Sequence, residues 1–342
     1  MISSGTLAGH RTLRLANNEI EVVVLPDRGA EILQLRHRPT GATFLLETPR
    51  GLPPWTTDRR ADFLDGYAGG WQELFPNVNE ACRVGGVDLP FHGEVTLRPW
   101  RVHAAPAGDP EAVTLSTRSD GLGVRLERRM RVVPGTPELE LVEVLTNERD
   151  VPVQVAWGHH IVLGGTFLKA GCRMDLPGGH IVTPDEPHEP ERARLAPGQR
   201  EPWPLALGRD GDRVDLRLVP GPEAHSHDDI FVTDLPEGWV VVSDPATGLA
   251  IRIDWDVDVF GCLVNWRPLG GADRAPLTGI YGLGIEPWTS PGDLARAIER
   301  GDALRLGGSE SRTTRLTVRI EQLGMTLPVR AAAGPSPGPP AD

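Results

Sequence analysis

The 342-residue chain predicts an all-β protein of stacked antiparallel sheets with very little helix. Two observations predict this. Apolar and polar side chains alternate with a period of two in run after run, and 40 glycines and 33 prolines punctuate those runs. Successive side chains of a strand leave opposite faces of a sheet, so this alternation is the strand period. Gly and Pro supply the turns between strands. The length would suit two average domains, but large β domains reach it as one unit. No internal repeat or shift in composition marks a linker, so residues 1–327 read as a single domain.

In chain order the strand-like runs are EIEVVVLP, AVTLSTR, ELELVEVL, VDLRL, WVVVSDP, LAIRIDW, VFGCLVNW and RLTVRI. In LAIRIDW, Leu249, Ile251, Ile253 and Trp255 point one way and Arg252 and Asp254 the other. Val214, Leu216 and Leu218 share a face in VDLRL, as do Leu316, Val318 and Ile320 in RLTVRI. Only SPGDLARAIERG reads as a helix, with Ser290 as N-cap, Pro291 in the first turn and Gly301 as terminator. Many strands and almost no helix imply sheets packed on sheets. The Pro/Ala/Gly-rich end, residues 328–342, has no apolar face to bury and reads as a disordered tail.

Composition narrows the class of function. Hydrophobic residues make up 39% and charged residues 24%, ordinary for a globular protein with a core. A formal charge of −12 argues against nucleic acid, which needs a basic stripe, and against an anionic membrane surface. No apolar run is long enough for a transmembrane helix. The N-terminus lacks the order of a signal peptide, so a cytoplasmic protein is expected. Cys82, Cys172 and Cys262 are too few and too scattered for a disulfide framework or a cysteine metal site.

Three segments offer chemistry. In GIYGLGIEPWTSP, Tyr281, Leu283 and Ile285 share the core face, while Gly282 and Gly284 clear space ahead of Glu286 on the other. In VQVAWGHHIVLGG, His159 lies on the bulky face with Trp157 and Ile161. His160 projects above small residues, a better position for proton transfer near neutrality. The turn-rich passage from Gly69 to Val95 gathers Trp71, Glu73, Asn77, His92 and Glu94, as a binding-site wall would. HSHDD, His225 to Asp229, has a His-x-His spacing seen in metal sites. No third ligand follows, so a polar loop lending one carboxylate is the preferred reading, and no metal site is expected. No nucleophile elbow, phosphate loop or dinucleotide fingerprint is present.

These pieces, taken in order, resemble the aldose 1-epimerase (galactose mutarotase-like) family over roughly residues 10 to 325. VVVLPDRGAEILQLRHRPTG is similar to its opening strands, GGWQELFPN with LPFHGE to its first-histidine segment, and VAWGHHIVLGGTFL to its second. HDDIF resembles its aspartate segment and GLGIEPWTSP its glutamate segment. The resemblance implies a single large antiparallel β-supersandwich, a sugar site on a concave sheet face, and no cofactor. It implies Glu286 as general base, His160 as general acid, His92 as a polar contact, and Asp228 as a hydroxyl ligand. Asp229 and His159 stay open as alternatives to Asp228 and His160. Trp71 and Trp288 are expected to pack against the sugar ring, with Asn77, Glu94 and His159 among the substrate contacts. The expected partner is a small-molecule sugar, with no nucleic acid and no membrane, in a monomer or homodimer. Glu73, Glu80 and Glu94 against Arg83 on the expected rim favour a neutral sugar over its phosphate, although Arg267 could bring in a compensating charge.

Overall fold

The computed structural model describes residues 1–54, 62–103 and 109–323; the expected tail lies outside them. Nearly all regular structure is strand, in two large antiparallel sheets. The larger sheet has twelve strands. They are β1 (Ile2–Leu7), β2 (His10–Ala16), β3 (Ile20–Leu25), β4 (Glu31–His37), β5 (Trp71–Leu74) and β6 (Gly158–Leu163). There follow β7 (His180–Val182), β8 (Arg200–Pro202), β9 (Ser226–Thr233), β10 (Cys262–Leu269), β11 (Leu283–Gly284) and β12 (Glu286–Trp288). The spatial order is β1-β2-β3-β4-β5-β6-β12-β10-β9-β7-β8, with β11 paired to β6 beside this path.

The eight-stranded sheet holds the longest alternating runs, including Val124–Val132, Glu138–Asn147, Leu249–Trp255 and Ser311–Gln322. Its inward residues, such as Leu126, Met130, Leu141 and Ile253, join Val22, Val24, Leu74 and Ile161 of the larger sheet in one apolar cluster. Each fully buried side chain of this kind stabilises by roughly 1.5–3 kcal/mol. Among the described residues, no helix is long and apolar enough to cross a membrane.

Three local expectations change. VDLRL is a strand only over Arg213–Asp215. Asp215 accepts from the backbone N–H of Arg217 and from its guanidinium, which turns the chain and leaves Leu218 half exposed. The predicted helix is α2 (Leu294–Arg300), and its N-cap is Asp293, whose carboxylate accepts from the N–H of Arg296. Pro291 and Gly292 precede it, and Gly301 ends it at φ 81°. Finally, the turn-rich passage contains β5, a fully buried strand between β4 and β6. WQEL does not alternate in hydropathy because both of its faces are covered.

Candidate functional site

The pleat decides which side chains of the central strands meet. On β6, His160 lies opposite Gln72 of β5, and His159 opposite Glu73. His159 and Glu73 face the smaller sheet, so His160 and Gln72 face away from it. On this outer face Glu286 of β12 comes within 3.8 Å of His160 Nε2. Trp266 of β10 is tilted against His160, with ring centroids 5.7 Å apart. His227 and Asp229 of β9 complete the row, register neighbours of Pro268 and Trp266. Gly284 leaves room for the carboxylate: a Cβ there would lie 2.5 Å from Glu286 Oε1.

Two further pieces close over this row. A short helix, α1 (Phe63–Gly66), is capped by Asp62, whose side chain accepts from the N–H of Leu64. It delivers Phe63 and Tyr67, whose rings lie 5.6 and 5.4 Å from that of His160. His92 stands 5.3 Å from His160, ring to ring. It adopts φ 60°, uncommon outside glycine and a feature that clusters at functional sites. Two bonds hold it there: its N–H donates to Asn79 O at 2.9 Å, and Asn79 N–H donates to its Nδ1 at 3.1 Å. The neighbouring Gly93 allows this turn, since a Cβ there would lie 2.3 Å from Phe75 O.

Burial dominates the electrostatics. It pushes Glu286 well above the usual carboxylate range, and the charge of Asp229 adds to the effect. It drives His160 down to about 3, and His92 well below the usual imidazole value, with help from His160 and His188. The protons can be placed. Gln72 donates its amide to Gly69 O, so its Oε1 accepts from His160 Nδ1 at 3.2 Å. The bare Nε2 of neutral His160 therefore faces Glu286. Trp266 Nε1 donates to His227 Nε2 at 2.7 Å, which leaves the His227 proton on Nδ1. His188 reaches in from the loop after β7, with Nδ1 3.0 Å from Asp229 and Nε2 3.5 Å from Glu80. The bond to Asp229 leads the effects that raise it to about 9, so it is a cation at neutral pH.

The expected site residues divide into two groups. Glu286, His160 and His92 lie together on the outer face. Trp288 borders them, 6.0 Å from the His92 ring and 6.4 Å from Phe231, in space left by Gly158. The other five lie elsewhere. Asp228 points to the opposite side of β9 from Asp229, where it accepts from the N–H groups of Arg194 and Leu195 and from Arg194 Nε at 2.9 Å. Trp71 and His159 face the smaller sheet, because they share a pleat face with Ile161. Asn77 is a scaffold residue: it accepts from Leu294 N–H and donates to Glu80 O and Pro90 O, which shapes the loop carrying His92. Glu94 pairs with Arg98 at a separate cavity of about 710 Å³. His225 and His227 do not form a two-imidazole face, since His225 precedes β9 at φ 42° and bonds Gly270 O.

Sequence reasoning missed Glu31, Phe63, Tyr67, Gln72, His188 and Trp266, and ranked Asp229 behind Asp228. Strand parity carried a signal for Asp229. Ile230 and Val232 are core residues, so Asp228 shares their side and Asp229 does not. Nothing local marks His188 or Glu31, whose roles depend on distant strands.

Behind His160, on the inward face, lies a second polar group. Arg128 of the smaller sheet hydrogen-bonds both Glu73 and Glu143 and the carbonyl of Ala30. His159 Nε2 is 3.1 Å from Glu143, and Trp157 donates to Glu73. Trp71 Nε1 donates to His159 Nδ1 at 3.2 Å, so the proton of the neutral ring sits on Nε2. Burial lowers His159, but Glu73 and Glu143 outweigh it and hold the group above its ordinary value. Glu73, Glu143 and His159 offer ligand atoms within 4.8 Å of one another. Arg128 already occupies one oxygen of each carboxylate and Trp157 the other oxygen of Glu73, so these residues do not fit a metal ion.

Comparison with known proteins places the chain. Residues 7–204 match the family described as a domain of unknown function, DUF4432. The chain belongs to DUF4432. That match includes Glu31, Tyr67, His92 and His160 and ends before Asp229 and Glu286. Among curated proteins nothing matches. Solved structures share the fold at low identity. The Slr1438 protein of Synechocystis sp. PCC 6803 is 18% identical over 93% of this chain and 99% of its own, with a TM-score of 0.66. A Klebsiella pneumoniae protein provisionally named an aldose 1-epimerase is 16% identical over 91% and 79%, with a TM-score of 0.68. A galactose mutarotase-like protein of Clostridium acetobutylicum is 15% identical over 94% and 99%, with a TM-score of 0.63. This DUF4432 chain therefore has the galactose mutarotase-like fold, as its sequence resemblance implied.

Proposed function

We propose that the outer-face cleft binds a free sugar and that Glu286 and His160 interconvert its anomers. The observation that carries this reading is the buried pair itself: a carboxylate and an imidazole 3.8 Å apart, walled by Phe63, Tyr67, Trp266 and Trp288. Aromatic faces suit the apolar faces of a sugar ring, and a few placed polar groups suit its hydroxyls. Anomer exchange needs one base and one acid. The base takes the proton from O1 as the C1–O5 bond breaks and C1=O1 forms, and the acid protonates O5. Rotation about C1–C2 and the reverse transfers close the other face, returning both groups to their starting states. A pair with one protonated and one free member meets this requirement.

The family resemblance makes Glu286 the base, yet the electrostatics of the cleft favour the proton on Glu286 rather than on His160. His160 Nε2 is then the free base. The proposed opening step has His160 Nε2 accept the O1 proton while Glu286 protonates O5, and closure exchanges the roles.

The expectation of a neutral sugar stands on different residues from those first considered. Glu73 and Glu94 are outside the cleft, and Glu80 is paired with His188. Among the described residues, Glu286, Asp229 and Glu31 now supply the carboxylates there; His188 pairs with Asp229 and Arg28 with Glu31, which leaves no cation of this group over for a phosphate. Saturation-transfer NMR over a panel of free aldoses and their 6-phosphates tests both points. Faster exchange of a neutral aldose is expected. Binding without exchange would make this a sugar-binding protein, faster exchange of a phosphate would overturn the preference, and neither binding nor exchange would end the reading.

A further inference from the structure

At the β4 side of the cleft, two buried polar atoms have no hydrogen-bond partner among the described residues: Tyr67 Oη and Glu31 Oε1. Both residues are almost fully buried, at 3% and 2% exposure. Native structures leave few such atoms unpaired, and each one calls for an explanation. The rest of each side chain is engaged. The Tyr67 ring packs on Phe63, His160 and Trp266. Glu31 Oε2 accepts from Arg28 Nε at 2.7 Å, and Arg28 also donates to Gly66 O at the end of α1.

Position links the two atoms. Ile32 is opposite Trp71 in the register of β4 and β5, so Glu31 lies on the other side, with Gln72. Glycine at position 70 keeps the space clear: a Cβ there would come within 3.4 Å of Glu31 Oε1. Burial, then the charges of Glu286 and Glu31, holds the Tyr67 phenol well above its usual range. It is therefore a neutral donor at neutral pH. One free donor and one free acceptor beside the reacting pair are complementary to a group that is both acceptor and donor, which describes a hydroxyl.

We infer that Tyr67 Oη and Glu31 Oε1 form a hydroxyl subsite, which selects sugars bearing a hydroxyl next to the anomeric end held by Glu286 and His160. The inference rests on the proposed sugar site and adds a specificity determinant to it. A site built to hydrogen-bond a hydroxyl discriminates against analogues that lack it, because its own buried groups are then left unpaired.

The test pairs Tyr67→Phe with monodeoxy analogues of whichever aldose the wild-type protein binds, measured by calorimetry and by anomeric exchange. For wild type, one deoxy position should weaken binding by about 10- to 100-fold, the range expected for leaving a buried polar group unsatisfied. Tyr67→Phe should weaken the parent sugar by a similar factor and show little further loss with that analogue. Its melting temperature should hold, because the lost hydroxyl bonds nothing among the described residues. Equal deoxy penalties in both proteins would overturn the subsite. So would a Tyr67→Phe protein that binds the parent sugar normally but melts lower, since the hydroxyl would then be structural. If wild type binds no sugar, the proposed function fails first and this inference falls with it.

Discussion

His159 and His160 are neighbours in sequence, both buried, and on opposite faces of one strand. His159 enters a group in which Arg128 bridges two carboxylates, so each buried charge has an opposite partner at contact distance. His160 enters an aromatic cleft where neither it nor Glu286 has such a partner. The carboxylate is driven up and the imidazole to about 3. Burial is similar on the two sides, and on the inward side it also pushes Glu73 up to about 7, with Glu143 adding to the effect. The difference is that there Arg128 and His159 lie against the carboxylates. The inward cluster ties the sheets together through the bonds of Arg128 to Glu73 and to Ala30 O. An uncompensated acid and base in a cleft are poised to exchange a proton, and such perturbed pairs mark functional sites.

The largest effect expected from breaking this contrast is on the inward side. Arg128→Leu strands Glu73 and Glu143 without their cation, which should cost about 3–5 kcal/mol. Urea unfolding checks it through the midpoint at constant slope, and an unchanged midpoint would show that the cluster does not depend on Arg128. On the outer side, Glu286→Gln should slow anomeric exchange by at least about 100-fold without lowering the melting temperature. Near-normal exchange in that variant would remove Glu286 from the chemistry.

Exchanging the histidines one at a time sharpens the comparison. His160→Asn should impair exchange and leave stability nearly intact, whereas His159→Asn should mainly lower the melting temperature. The reverse pattern would mean that the faces are exchanged, as a one-residue slip of register produces. The smallest effect is in the pH dependence of stability. His160 titrates at about 3 when folded and near 6.5 when unfolded, so the unfolded chain binds more protons between those values. Stability from this group is complete above about 6.5 and falls as the solution is acidified. Glu286 has the opposite sign: its raised folded value makes its contribution fall as pH rises above the ordinary glutamate range. Melting curves of wild type and His160→Asn should therefore diverge progressively below about pH 6.5, with wild type losing more. Parallel curves would contradict a depressed His160.

Much of this was legible without coordinates where the information is local. Alternation in LAIRIDW and RLTVRI gave their strands and inward faces, and the parity of WGHHIVL separated His159 from His160. Gly284 before Glu286 marked the space that the carboxylate needs. Legibility failed where an element is covered on both faces or too short to show a period. WQEL has no alternation, so Trp71 was expected on the cleft rim although the pleat turns it inward with Glu73. The four-residue α1 hid Phe63 and Tyr67. In HSHDD, the family resemblance put Asp228 ahead of Asp229, and the register of β9 places Asp229, not Asp228, beside Trp266 on the cleft face.

By itself, then, the sequence determined the fold class and the faces of its clearly alternating strands, because period and turn chemistry are properties of adjacent residues. Tertiary structure alone decided which faces meet. Glu73 lies far in the chain from Arg128, Glu143 and His159, and Glu31, Tyr67, His160, Asp229 and Glu286 come from five separate segments. Whether a buried charge finds a partner is set by sheet order and register, and that partnering separates the cluster that holds the sheets together from the pair that faces the cleft.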